Sequence, residues 1–172
     1  MEKMLFSTLK DLTVAFAKTT QEIHTIGEAK SATTYLLVAG GWVRDKLLGH
    51  KSRDLDLISA KGVSKYFAAN LKFAFEKLAS SNGYRLVWKD PPTIIMQIPA
   101  CKDQELMRIK VSFIKGSKVE TESDLFKPFE IDIRELKDGE TYEEDAYKRD
   151  FKMNALYYDF ISDKVLDCVD VG

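Results

Sequence analysis

The 172-residue sequence predicts an α+β domain, a mixed central sheet with helices packed largely on one side. Two observations support this prediction. Strand patterns outnumber the helices between them after residue 84, so the chain does not alternate strand with helix as parallel α/β folds do. Several strands also alternate apolar with charged residues, which is typical of a sheet with one buried face. With 45% hydrophobic and 31% charged residues, the composition is that of one ordinary globular domain.

The first elements are a helix and a short strand. Apolar residues at helical spacing predict an amphipathic helix over residues 4–23, and a polar connection follows at 27–34. A continuous apolar run predicts a buried strand over 35–39. Gly40-Gly41 then ends this strand, because two consecutive glycines interrupt the apolar run.

Two helices and a second strand come next. Residues 42–48 form a short helix closed by Gly49, and residues 55–59 form the second strand. The clearest helix of the sequence covers residues 63–81, where apolar positions advance by three or four. Asn82-Gly83 ends this helix.

The last part of the chain is rich in strands. Four are predicted, at residues 84–88, 93–98, 107–114 and 129–134. Thr141-Tyr142-Glu143-Glu144 has the spacing of a capping box and opens a short helix that runs through Arg149. Residues 156–161 and 164–166 form a hairpin around Ser162-Asp163.

Charge and cysteine content limit the function classes. The 26 basic and 27 acidic residues give a net charge of −1, which argues against a non-specific coat for nucleic acid but allows a local basic groove. The two cysteines favour an intracellular, reducing compartment, the cytoplasm first, with nucleus and mitochondrion left open. No apolar run approaches the length of a membrane span, so no membrane partner is expected.

The strand–glycine–helix segment ending in Gly40-Gly41 is a candidate anion site. Glycines let backbone N–H groups approach a phosphate closely, and Arg44 is placed to add a charge-assisted contact. The plain alternative is a tight turn in which Arg44 and Asp45 are solvated charges. The segment is neither a dinucleotide fingerprint nor a Walker loop, because the required third glycine and the Gly-Lys-Ser/Thr are missing.

Asp54 and Asp56 are candidate metal ligands. Residues i and i+2 of a strand project to the same face, so the two carboxylates lie side by side while Leu55 points into the core. Paired carboxylates together with substrate phosphates suit Mg²⁺. The alternative is an exposed polar strand face paired with a nearby cation. Two interpretations of Asp132 stay open: a third acidic group of the same site, or a salt-bridged surface residue.

Two blocks of residues together resemble a known family. The first is Gly40-Gly41-Trp42-Val43-Arg44-Asp45, then Leu48-Gly49, then Asp54-Leu55-Asp56; the second covers residues 144–156 and includes Arg149-Asp150 and Asn154. In this order they resemble the polymerase β nucleotidyltransferase superfamily, and within it the class II tRNA nucleotidyltransferase (CCA-adding enzyme) and poly(A) polymerase family. Lys148 and Lys152 depart from the family's usual Arg and Thr. The resemblance implies a polymerase-β-like head domain.

The resemblance also implies roles for individual residues. Asp54 and Asp56 would hold two Mg²⁺ ions, with Asp132 as the open third carboxylate. The triphosphate would lie against the first block, and the ribose against the second. These nucleotide-binding residues are Gly40, Gly41, Arg44 and Asp45 in the first block, and Arg149, Asp150 and Asn154 in the second. The expected reaction is template-independent transfer of CMP and AMP from CTP and ATP to the tRNA 3′ end, with release of pyrophosphate.

The resemblance divides the chain into an N-terminal helix and connection (residues 1–34) and a catalytic head (residues 35–172). Residues 167–172 resemble the start of the family's next motif, so the neck, body and tail that hold tRNA are expected to be absent. Three alternatives stay open: a poly(A) polymerase of the same family, a nucleotidyltransferase acting on a protein or small molecule, and a non-catalytic nucleotide-binding module. Residues 149–154 argue against the second, and the intact Asp54 and Asp56 against the third.

Overall fold

The computed structural model describes residues 2–24, 36–60, 63–88, 93–97, 105–115 and 129–169. Its strands are β1 Leu36–Ala39, β2 Asp54–Ser59, β3 Tyr84–Trp88, β4 Thr93–Gln97, β5 Glu105–Lys115, β6 Phe129–Glu135, β7 Leu156–Asp159 and β8 Lys164–Asp167. The helices are α1 Glu2–His24, α2 Gly41–Leu47, α3 Ser64–Ser81 and α4 Tyr142–Tyr147, and a short 3₁₀ helix covers Lys152–Asn154.

The eight strands form one sheet in the order β3-β5-β6-β2-β1-β7-β8, and β4 pairs with β5 on the same edge as β3. In the described part of the chain, β2 and β6 are parallel and the other pairs are antiparallel. The predicted α+β class with a mixed sheet is therefore confirmed. The sheet places β2 in its middle, between β1 and β6, where both of its edges are hydrogen-bonded.

One face of the sheet carries the main hydrophobic core. Every second residue of β2, β5 and β6 points to this face and is buried against α1 and α3: Leu55, Leu57, Met107, Ile109, Val111, Ile131 and Ile133. From α1, Leu5 and Leu9 enter the same core. The Phe6 ring stacks on Trp42 of α2 with the ring centroids 4.6 Å apart. The N-terminal helix thus buries its apolar stripe against the sheet.

The opposite face is apolar at one end and polar at the other. Leu37, Ala39, Ile58 and Tyr157 pack there against Ala146 of α4. Beyond Ile58 the face becomes charged, because it carries Asp54, Asp56, Arg108, Lys110, Glu130 and Asp132. Helices α1, α2 and α3 contribute to the main core and α4 covers the other face, as the prediction of helices largely on one side requires.

The predicted elements match the observed ones with small shifts at their ends. The capping box at Thr141 is present, since its hydroxyl accepts from the Glu144 N–H while the Glu144 carboxylate accepts from the Thr141 N–H. The prediction that this helix continues through Arg149 was wrong. Helix α4 ends at Tyr147, because the N–H groups of Lys148 and Arg149 bond back three residues, to Asp145 and Ala146, and tighten the last turn.

Two predicted segments fall outside the described residues: the polar connection at 27–34 and the final residues 170–172 of the motif-like ending. No helix among the described residues combines the length and apolarity needed to cross a bilayer.

Candidate functional site

Four carboxylates lie together on the charged face of the sheet. Asp54 and Asp56 project from β2 on the side opposite Leu55, as the alternation of the strand predicts. The parallel register places Asp54 beside Glu130 and Asp56 beside Asp132 of β6. Neighbours in register share a face, so these acidic side chains form two adjacent rows.

Basic side chains of strand β5 neutralise the acidic side chains of β6. Arg108 is in register with Asp132 and binds it with two hydrogen bonds, Nε to Oδ1 at 2.8 Å and Nη2 to Oδ2 at 2.6 Å. Lys110 forms an ion pair with Glu130 at 2.8 Å. Asp132 is thus both a member of the acidic cluster and a salt-bridged residue. Within the described residues, Asp54 and Asp56 make no ion pair, so the excess negative charge lies on β2.

The surroundings of Asp56 raise the pKa of its carboxyl. Partial burial raises the pKa of this carboxyl, and the neighbouring carboxylates of Asp132 and Asp54 raise it further. The guanidinium groups of Arg149 and Arg134 oppose this shift but do not cancel it. A raised pKa means that the ionised carboxylate is under-compensated, which is the condition that a bound cation relieves.

Gly40 brings the backbone directly against these charges. Its φ of +73° and ψ of −138° lie in a region that L side chains rarely adopt. A Cβ at this position would lie 3.3 Å from Asp56 Oδ2 and 3.3 Å from Arg149 Nη1. The Gly40 N–H bonds to the Leu156 carbonyl at 3.1 Å, which ties the turn to β7. Glycine is therefore required both by the conformation and by the close approach.

Arg44 joins, by hydrogen bonds, the two blocks of residues that carry the family resemblance. Its Nε and Nη2 bind Asp45 Oδ1 at 2.8 and 2.7 Å, and its Nη1 binds Asn154 Oδ1 at 2.9 Å. These three residues were predicted as nucleotide-binding from segments 110 positions apart, and the fold brings them into contact. Gly41 lies next to them, with its Cβ position 3.5 Å from Arg44 Nη2.

The second block divides into a half-buried and an exposed part. Arg149 and Asn154 face the Gly40 turn, and Arg149 Nη1 donates to the Asn154 carbonyl at 3.3 Å. Asp150 is exposed, and its carboxylate accepts from the Phe151 N–H at 3.0 Å. Arg149 forms an ion pair with Asp145 of α4, at 2.9 Å.

Asp145 is the residue that the sequence reasoning missed. Its carboxylate is only 2% exposed and accepts from Arg134 Nη2, from Arg149 Nη2 at 2.9 Å and Nε at 3.2 Å, and from the Tyr157 hydroxyl at 2.7 Å. The i, i+4 spacing to Arg149 was visible in the sequence. Nothing local indicated the partners from β6 and β7, because they depend on how α4 packs against the sheet.

A cavity of about 270 Å³ opens at this place. It is lined by Asp56, Asp132, Arg134 and Arg149 together with apolar groups of β2 and β5. A larger cavity of about 360 Å³ beside the loop between β6 and α4 shares no lining residue with it. The charged groups of the candidate site therefore line the smaller cavity.

The carboxylates on this face supply some, but not all, of the oxygen ligands that a divalent cation such as Mg²⁺ needs. In the described part of the chain, no three His, Cys, Asp or Glu side chains are arranged as a ready metal cage. Both oxygens of Asp132 are already bound by Arg108. Asp54 and Asp56 remain as oxygen donors, and Mg²⁺ usually takes one or two protein carboxylates and completes its shell with water and substrate phosphates.

Comparison with known proteins identifies similar sequences. Residues 36–172 match the family model described as the poly(A) polymerase head domain. The mitochondrial CCA tRNA nucleotidyltransferase of Candida glabrata is 32% identical over 150 residues, which cover 80% of this chain and 25% of that protein. The tRNA nucleotidyltransferase cca2 of Schizosaccharomyces pombe is 27% identical over 180 residues, covering 99% of this chain and 34% of its own length. The chain therefore spans a quarter to a third of these relatives.

Solved structures with a similar fold include a CCA-adding enzyme with CTP, with a TM-score of 0.38 and 23% identity, covering 77% of this chain and 26% of that one. A Thermotoga maritima CCA-adding enzyme complexed with tRNA has a TM-score of 0.37 and 23% identity over 77% of this chain and 24% of its own. The family assignment rests on the sequence match rather than on these superpositions.

Proposed function

The chain belongs to the poly(A) polymerase head-domain family, and we propose that it is the catalytic head of a nucleotidyltransferase that adds CMP and AMP to the tRNA 3′ end. One observation carries the proposal: the Gly40 turn lies against an acidic strand face and an arginine, within a family match that covers both. The names of the relatives favour CCA addition. Because the chain matches only part of them, activity, substrates and tRNA binding are proposals.

Asp54 and Asp56 are proposed to hold two Mg²⁺ ions, together with the nucleotide phosphates. Bound there, the ions would favour ionisation of the attacking 3′-hydroxyl and neutralise charge on the departing pyrophosphate. Asp132 is proposed to be the third acidic group. Its pairing with Arg108 limits the total negative charge of the cluster while keeping the Asp132 carboxylate beside Asp56.

The first block is proposed to receive the triphosphate. Gly40 and Gly41 allow close approach of the backbone, since a Cβ would lie 3.3 Å from Asp56 Oδ2 at Gly40 and 3.5 Å from Arg44 Nη2 at Gly41. Arg44 is held by Asp45 and Asn154, so its guanidinium is already oriented before a phosphate arrives. Preorganised positive groups of this kind stabilise phosphoryl charge without reorganisation at the moment of reaction.

Arg149, Asp150 and Asn154 are proposed to lie near the ribose. Arg149 and Asn154 lie beside the Gly40 turn, and Asn154 also accepts from Arg44, which supports their part of the proposal. Asp150 is exposed next to them, and its role rests on the family resemblance of the block. The base and the tRNA are proposed to be bound mainly by other parts of the enzyme, because the relatives extend far beyond the matched region.

Poly(A) addition is the second candidate, since the matching family model carries that name. The two activities differ in nucleotide use. A tRNA lacking its CCA end should receive both CMP and AMP from a CCA-adding enzyme, and only AMP from a poly(A) polymerase. Incubating the protein with such a tRNA and each labelled nucleotide distinguishes the two reactions.

The head itself is tested by nucleotide titration. We expect Mg·CTP and Mg·ATP to raise the thermal midpoint of the purified chain, and the Asp54→Asn/Asp56→Asn variant to lose this shift. Asp11→Asn, an exposed acid on α1, is the matched control and should keep it. A shift that persists in the double variant would contradict the proposed metal ligands. Nucleotide binding without transfer to tRNA would favour a non-catalytic module.

We propose an intracellular location, with the mitochondrion as a specific candidate because two of the relatives carry that compartment in their names. Fluorescence microscopy of the tagged natural protein tests it against cytoplasm and nucleus.

A further inference from the structure

We propose that Asp145 is a positioning residue that fixes the Arg149 guanidinium beside Gly40 and Asp56, and thereby sets the affinity for the nucleotide. This inference rests on the proposed function for its second half. Its first half concerns the protein alone and is tested without a nucleotide.

The hydrogen bonds define one orientation of Arg149. Its Nε and Nη2 both donate to Asp145 Oδ2, at 3.2 and 2.9 Å, so the fork of the guanidinium is held along one edge. The third nitrogen, Nη1, then points at the Gly40 turn, 3.3 Å from the position of a Gly40 Cβ. Two bonds to one oxygen and one to the Asn154 carbonyl leave the group little rotational freedom.

Asp145 itself is held from two further directions. The Tyr157 hydroxyl donates to Oδ2 from β7, and Arg134 of β6 donates to Oδ1. The Tyr157 ring lies under Arg149, with the guanidinium carbon 5.3 Å from the ring centroid. These partners come from strands on both sides of β2, so the carboxylate fixes the arginine relative to the strand that carries Asp56.

The charge balance gives this arrangement a consequence at the site. The single buried carboxylate of Asp145 accepts from the guanidinium groups of both Arg134 and Arg149. Arg149 Nη1 and Asp56 Oδ2 each lie 3.3 Å from the Cβ position of Gly40, so the arginine is close to this carboxylate. Removing the Asp145 charge would free Arg149 to swing onto Asp56 itself, where it would neutralise the carboxylate that should receive a cation.

Burial explains why Asp145 is suited to this task. Desolvation alone raises its pKa, but the Tyr157 hydroxyl and the Arg134 and Arg149 guanidiniums together hold that pKa below its ordinary value. The carboxylate is therefore ionised at neutral pH and always available as an acceptor. A buried hydrogen-bonded charge of this kind is a rigid anchor, because breaking it leaves unpaired groups in a low dielectric.

The first experiment measures directly how well the Arg149 side chain is held in place. The Nε–H signal of Arg149 in a ¹H–¹⁵N spectrum of the nucleotide-free chain should be narrow and protected from exchange. Asp145→Asn should broaden or abolish it. Asp159→Asn is the matched control, because Asp159 is also a buried acid of this sheet but accepts from the Ile161 N–H and the Ser162 hydroxyl. An unchanged Arg149 signal in a folded Asp145→Asn protein would overturn the proposal.

The second experiment measures Mg·CTP affinity in a double-mutant cycle. We expect Asp145→Asn to weaken binding about tenfold, the effect of one misplaced charge-assisted hydrogen bond. On an Arg149→Met background the same change should have almost no effect, because Asp145 acts through that arginine. A tenfold loss in both backgrounds, or in neither, would overturn the positioning role. Asp159→Asn should lower the thermal midpoint and leave the affinity unchanged.

The two experiments separate the two claims. If the wild-type chain binds no Mg·nucleotide, the proposed function of the head is contradicted, while the Arg149 signal still decides whether Asp145 fixes the arginine. If Asp145→Asn proves too unstable to compare, Asp145→Glu keeps the charge and displaces the carboxylate by one methylene. A shifted Arg149 signal with weaker binding in that variant supports the proposal, and unaltered values of both overturn it.

Discussion

Gly40→Ala tests whether the turn before α2 is shaped for the site rather than only for the chain reversal. At φ +73° and ψ −138° the residue lies in backbone space where a side chain costs about 1–3 kcal/mol. The added methyl carbon would also lie 3.3 Å from Asp56 Oδ2 and from Arg149 Nη1, so one of these groups must shift by a few tenths of an ångström. We expect the unfolding free energy to fall by about 2 kcal/mol and the Tm by about 4–8 °C.

Gly49→Ala is the matched control. Gly49 also has a positive φ, +76°, but no heavy atom lies within 4 Å of its Cβ position. The substitution should therefore cost only the backbone strain, about 1 kcal/mol, with a Tm about 2–4 °C lower. Because Gly49 lies at the far end of α2 from the carboxylates, nucleotide affinity should stay at the wild-type value.

The assay combines thermal unfolding followed by circular dichroism with a titration of Mg·CTP. Gly40→Ala should weaken binding at least about tenfold, because the methyl group displaces a proposed ligand or its neighbouring arginine. Gly49→Ala should be destabilised without loss of affinity. A Gly40→Ala protein that is destabilised yet binds Mg·CTP as the wild type does would refute the reasoning that this turn belongs to the site.

Three further predictions concern the fold. Ser59 has a fully buried hydroxyl with no hydrogen-bond partner among the described residues, so Ser59→Ala should leave stability unchanged or raise it by up to about 1 kcal/mol in urea unfolding. Leu9→Ala should cost about 2–5 kcal/mol, because Leu9 of α1 is fully buried in the core shared with the sheet, although the family match begins at residue 36. Asp145→Asn should be strongly destabilising at pH 7. The difference in unfolding free energy between this variant and the wild type should shrink as the pH falls below about 4. The reason is that a carboxylate with a lowered pKa stabilises the fold above its unfolded-state pKa and loses this contribution on protonation.

The sequence allowed the elements and the first carboxylates to be predicted because the relevant signals are local. Alternation in β2 placed Asp54 and Asp56 on the face opposite Leu55 without any knowledge of the neighbouring strands. The capping box at Thr141 fixed the start of α4 in the same way. Its end was harder to predict, because the tightening of the last turn depends on how Arg149 is drawn toward Asp145 and Tyr157.

The pairing across the sheet could not be predicted from the sequence. Two interpretations of Asp132 were left open, a third acidic group and a salt-bridged residue. The structure shows the ion pair with Arg108 of β5 and the register beside Asp56, and the role as a third acidic group stays a prediction. Asp145 could not be predicted as a site residue for the same reason. Its partners Arg134 and Tyr157 are 11 and 12 positions away, and their meeting depends on the packing of α4 against β6 and β7. Long-range pairing of this kind is set by topology, which local patterns do not encode.

The central claim is that the acidic face of β2, beside the Gly40 turn, binds a divalent cation with its nucleotide. Paramagnetic Mn²⁺ in place of Mg²⁺ tests this most directly, because carboxylate oxygens bind both ions and Mn²⁺ broadens nearby amide signals. With CTP present, the broadening should centre on residues 54–57 and on Gly40, and should disappear in Asp54→Asn/Asp56→Asn. Broadening centred instead on the acidic first turn of α4, or unchanged in the double variant, would contradict the account.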